Sequence, residues 1–148
     1  MLVFATNPWP PFHNGDMSTP ARWRTEDLSF LAGARELQIA VPHADGQPGA
    51  WTPIWVVVAD DEVFVRTWQR RSAGWYGRAV RTACARIRVA DRSVEVIVTV
   101  TGDTDGDAVD AAYRAKYGAA GARSMVTPEA AASTLRISRA SPGGPTPP

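Results

Sequence analysis

Between residues 65 and 81 the chain reads VRTWQRRSAGWYGRAVR, and most of the groups able to do chemistry stand there. Arg66, Arg70 and Arg71 supply forked N–H donors suited to phosphate or carboxylate. The hydroxyls of Thr67 and Ser72 add hydrogen bonds, and Trp68, Trp75 and Tyr76 offer flat faces. A phosphate grip beside a stacking platform suits a planar, phosphorylated cofactor. It suits single-stranded nucleic acid as well, because backbone charge and base stacking make the same demands. The alternative reading of the same residues is structural, with Trp75 and Tyr76 as core anchors and the arginines as a solvated face.

Charge around this segment is uneven. The formal net charge is +1, which excludes a globally polycationic coat. From Arg66 to Arg92 there are nevertheless eight arginines against one acid, Asp91, and from Glu95 to Ala112 there are five acids and no base. Weaker candidates fall away on spacing. The DTDGD run at 103–107 lacks the glycine position and the closing glutamate of a calcium loop, and acids before a helix explain it better. His13 and His43 have no second ligand nearby, so no metal is expected. Cys84 is alone, which excludes an intrachain disulfide and favours a buried small residue in a cytoplasmic protein.

The elements that must position these groups follow from periodicity. The 148 residues, 45% hydrophobic and 21% charged, fit one soluble domain. The longest apolar run, Ile54 to Ala59, is far too short to span a membrane. Residues 1–20 are expected to be a disordered leader without an export signal, 21–140 the folded domain, and 141–148 a disordered tail rich in Pro and Gly. Thr25 is placed to cap a short helix ending at Gly33, with Leu28 and Leu31 facing the core. Strands are expected over 36–42, 52–58 and 62–68, the last two joined by an Asp60-Asp61 turn. The 52–58 run is apolar on both faces and reads as one interior strand. Period two puts Val63, Val65 and Thr67 on one side of the next strand and Phe64, Arg66 and Trp68 on the other. A helix over 74–84 leads to strands at 85–90 and 93–100. A further helix carries Val109, Ala112, Tyr113 and Lys116 on one face and ends at Gly118. Thr127-Pro128 opens a short Ala-rich turn before a last strand, STLRIS. The expected fold is α+β: a mainly antiparallel, six-stranded, closed or half-closed β-barrel with two or three short helices.

TPIWVV (52–57), VRT (65–67), WY (75–76) and AAYRAKYG (111–118) together resemble the uncharacterised bacterial domain-of-unknown-function family 2255, over about residues 23–139. That family is similar in turn to the flavin-binding split barrels, including deazaflavin-dependent nitroreductases. The resemblance implies a small oxidoreductase binding FMN or deazaflavin. It assigns Arg66, Thr67, Arg70, Arg71 and Ser72 to cofactor phosphate and Trp75 and Tyr76 to the ring or substrate, and it implies a homodimer. The segment before the TPIWVV strand, ADGQPGAW, lacks the basic loop of those relatives. A second class fits the residues too: a cofactor-free barrel binding a small molecule in a biosynthetic pathway, with Trp55 and Trp68 as substrate-pocket walls beside Trp75 and Tyr76. Nucleic-acid binding by the basic run is disfavoured by Glu95 and the acids that follow it.

Overall fold

A computed structural model describes residues 20–140 except 44, 46, 48, 68–73, 91, 103 and 105. The TPIWVVVA segment sets its architecture. Rather than one interior strand, it forms two, β3 (Thr52–Ile54) and β4 (Val57–Ala59), separated only by Trp55 and Val56. β3 pairs antiparallel with β2 (Leu37–Ala40), and β4 pairs antiparallel with β5 (Glu62–Val65). The remaining strands are β6 (Cys84–Val89), β7 (Arg92–Val100) and β8 (Leu135–Ala140), and the hydrogen-bonded order is β3-β2-β6-β7-β8-β5-β4. The first and last strands of that path are therefore neighbours in sequence, so the sheet curls until its two ends meet at the Trp55–Val56 bend. A two-residue β1 (Pro20–Ala21) adds to the end of β8. The sheet exceeds the expected six strands because the 52–58 run splits and β1 joins.

Strict alternation explains why that run is apolar on both faces. Ile54, Val56 and Val58 point into the curl, with Leu37, Ile39, Val63, Val65, Ile87, Val96, Val98 and Ile137. Trp55, Val57 and Ala59 point outward, where helix α3 (Gly106–Gly121) covers them together with Phe64. Both faces are buried, one by the sheet itself and one by a helix.

Four helices occur among the described residues. α1 (Thr25–Gly33) begins one residue earlier than a Thr25 cap requires, since Arg24 holds the extended cap position without a side-chain bond and Thr25 is already helical. Leu31 is buried, and Leu28 packs on the inner core. α2 (Gly74–Thr82) sets Tyr76 and Ala79 in the inner core. α3 breaks at Gly118, whose φ of 83° no side-chain-bearing residue adopts easily. After a 3-10 turn (Arg123–Met125), α4 (Pro128–Ala132) is capped by Thr127 Oγ1, which accepts from the Ala130 amide at 3.1 Å. Asp60 and Asp61 make the β4–β5 turn with φ of 54° and 64°, the left-handed pair that a two-residue hairpin demands. No described helix is long and apolar enough to cross a membrane.

Candidate functional site

The site grows from the end of β5. Val63 and Val65 face the inner core while Phe64 and Arg66 face the other way, as period two dictates. That second face lies beneath α3 and the 3-10 turn, so the Arg66 side chain is 0% exposed. Its Nε donates to Thr134 Oγ1 at 2.8 Å, and Nη1 donates to Asp110 Oδ1 at 2.6 Å and to the Met125 carbonyl at 2.7 Å. The guanidinium stands over the Tyr113 ring, 5.5 Å from its centroid. Burial holds the Tyr113 phenol far above its ordinary value. Thr67, the next residue, donates its amide to Ser133 Oγ at 3.0 Å, and that hydroxyl lies 2.6 Å from the Ala130 carbonyl and 3.0 Å from the Thr67 carbonyl. Arg66 and Thr67 are thus clamped from one side by α3 and the turn that leads into β8.

Trp55 lies in the same outer cluster as Tyr113, against which Arg66 packs. Its indole stacks on Tyr117 with centroids 4.0 Å apart and planes 9° from parallel. At the bend, Val56 N–H donates to Tyr117 Oη at 3.3 Å, and the Val56 carbonyl accepts from Lys116 Nζ at 2.7 Å. Lys116 also donates to the Leu31 carbonyl at 3.1 Å, and Tyr117 Oη donates to the Arg35 carbonyl at 2.6 Å. The Lys116-Tyr117 pair of α3 therefore satisfies the backbone where the strand splits. Partial burial pushes Lys116 down to about 8.

Past the undescribed residues, Gly74 opens α2 at φ 63°. Trp75 is half-buried at the rim of the inner core, and Tyr76 is buried, with its ring edge-on to the indole at 5.6 Å and 76°. One turn on, Arg78 has a buried Nε with no hydrogen-bond partner in the protein. The other described arginines of the basic run are mostly engaged. Arg66 pairs with Asp110, Arg86 with Glu95 at 2.8 Å, Arg88 lies over Trp51 at 4.2 Å, and Arg92 lies over Phe30 at 4.4 Å. The structure thus brings Trp75 and Tyr76 together at the inner core and Arg66 and Thr67 together at the end of β5, and sets Trp55 in the outer cluster, which Arg66 meets through Tyr113. Trp68, Arg70, Arg71 and Ser72 lie outside the described residues. Sequence reasoning passed over Asp110, Ser133 and Arg78; the i to i+3 spacing of Arg78 from Trp75 was the signal available for the last.

An open cleft of about 680 Å³ runs between α1 and the β4–β5 turn, with Trp23, Leu28 and Val58 among its apolar walls and Asp60, Asp61 and Arg136 among its polar ones. Among the described residues no group of three His, Cys, Asp or Glu side chains could hold a metal ion. Cys84 is buried, and burial pushes its thiol up, away from reactivity.

The family model described as an uncharacterised protein conserved in bacteria, DUF2255, matches residues 27–137. No curated protein matches by sequence. Among solved structures, the conserved hypothetical protein Rv2991 of Mycobacterium tuberculosis is similar at a TM-score of 0.54 and 16% identity, covering 80% of this chain and 79% of its own. HutZ, the heme storage protein of Vibrio cholerae, is similar at 0.55 and 13%, covering 84% and 93%. Atu2129 of Agrobacterium tumefaciens, of unknown function, gives 0.51 and 16%, covering 85% and 57%. At these identities the likeness is one of fold.

Proposed function

The chain belongs to the conserved bacterial family DUF2255, and from that premise we propose that it is a split-barrel protein binding a small planar molecule at the junction of β5 and α2. The finer reading is a flavin or deazaflavin, with the protein serving as a small oxidoreductase. The observation that carries it is Trp75: a half-buried indole, braced edge-on by buried Tyr76 at the rim of the inner core, three residues after Ser72 in the sequence. Such a rim suits stacking against a flat ring system. A heme storage protein with the same fold supports the idea that this architecture can hold a planar cofactor. A bound flavin or deazaflavin supplies the hydride chemistry, so no acid–base triad is required of the protein. In this reading Trp75 orients the ring, Arg70, Arg71 and Ser72 meet the phosphate, and Arg66 and Thr67 anchor the strand end from which they emerge. A homodimer with the ligand at its two-fold belongs to the same reading.

The test is the visible absorbance of the purified protein before and after incubation with FMN, deazaflavin or heme, followed by desalting. A retained chromophore that Trp75→Ala releases is the expected outcome. A clean spectrum in every case overturns the cofactor. It would favour the second reading, a cofactor-free barrel binding a small molecule, for which the cleft beside α1 offers space.

A further inference from the structure

Resting on that reading of the α2 surface, we propose that Arg78 receives the oxyanion, phosphate or carboxylate, of the molecule seated against Trp75. Three observations converge on it. First, four of the six described arginines between Arg66 and Arg92 have a carboxylate or ring partner. Arg66 Nη2, Arg86 Nε and Arg78 Nε are all buried without an acceptor, but Arg66 and Arg86 already hold a carboxylate through another nitrogen, and no such ion pair is seen for Arg78 among the described residues. A buried guanidinium N–H without an acceptor is unfavourable, and an arriving oxyanion removes that penalty. Second, Arg78 follows Trp75 by three residues, so helical geometry sets the two side chains next to each other on one flank of α2. The neighbouring Thr82 hydroxyl is turned to the Arg78 and Cys84 carbonyls and does not compete for the guanidinium. Third, α2 reads GWYGRAVRT and bears no carboxylate, while exposed Arg81 adds positive potential one turn on. Nε and one Nη form the edge of the guanidinium that binds oxyanions in a bidentate manner.

FMN and riboflavin share a ring system and differ by the phosphate, which makes them the discriminating pair. Arg78→Ala is expected to weaken FMN binding by about ten- to a hundredfold, the loss of one charge-assisted bond, and to leave riboflavin binding unchanged. Arg78→Lys, which keeps the charge but removes the forked edge and disturbs packing less, should fall on the same side. Equal weakening of both flavins, or no effect on FMN, overturns the assignment. If the wild-type protein binds neither flavin, the flavin reading falls while Arg78 is still tested by NMR. Its Nε–H resonance, identified by its disappearance in Arg78→Lys, is followed during titration with inorganic phosphate and, separately, acetate. A saturable shift with phosphate alone supports a phosphate subsite, and one with both supports a general oxyanion subsite. No saturable shift with either overturns the proposal.

Discussion

The Arg66 guanidinium is wholly buried, and its donors go to Asp110, Thr134 and the Met125 carbonyl. The family resemblance assigns this residue to cofactor phosphate, and nothing in its local sequence shows that α3 and the turn into β8 cover its side chain. Period two identifies which residues share a face but not whether something covers that face, and here the cover, α3, lies more than forty residues further along the chain. Removing one partner of a buried ion pair strands the other. Asp110→Ala is therefore expected to lower unfolding free energy by about 3–5 kcal/mol in urea titration, whereas the double change Arg66→Met with Asp110→Leu should be far milder. Lys116 gives a pH signature. Burial lowers it to about 8 from the ordinary 10.5, so above pH 8 the unfolded chain binds more protons and stability rises with pH through that window. Between about pH 8 and 9.5, wild-type stability should climb relative to that of Lys116→Met, measured by urea midpoints at each pH. A flat difference would mean that the carbonyls of Val56 and Leu31 hold the ammonium in its usual range.

Among the elements, the Asp60-Asp61 turn of the β4–β5 hairpin and the capped start of α4 were legible, because turn and cap chemistry are local. The division of TPIWVVVA was not. Its residues state that both faces are buried, yet which strands its two halves join depends on partners far away in sequence. The AAYRAKYG motif, read from the sequence as a helix face and as part of the family resemblance, satisfies the backbone at that division through Lys116 and Tyr117 at Val56. Tyr117→Phe keeps the stack on Trp55 but removes the hydroxyl. It should cost about 0.5–1.5 kcal/mol and speed amide exchange at Val56 in particular, measurable by hydrogen exchange. In the hairpin, Asp61 sits at φ 64°, where glycine is unstrained. Asp61→Gly should leave stability equal or raise it by up to about 1 kcal/mol; a clear loss would show that the Asp61 carboxylate has a role beyond the turn.

At the scale of the molecule, one curled sheet serves two cores, an inner one closed by α1 and α2 and an outer one closed by α3. A ligand that binds the folded protein and not the unfolded chain stabilises the whole of this arrangement. At a hundredfold excess over its dissociation constant, any true ligand should add about 2.7 kcal/mol of stability, visible as a raised melting temperature in a screen of flavins, deazaflavin and heme.

The meeting of the sheet's two ends has a last consequence. β3 and β4 are only three residues each, and the same stretch of chain supplies both. The backbone at which another molecule could add a strand is thereby confined to a short segment braced by a helix. Severing the chain between Trp55 and Val56, as in a circular permutant opened there, would leave two independent edges free to pair with other chains. The kink thus doubles as a guard against edge-to-edge aggregation, and such a permutant should self-associate where one opened at the Asp60-Asp61 turn does not.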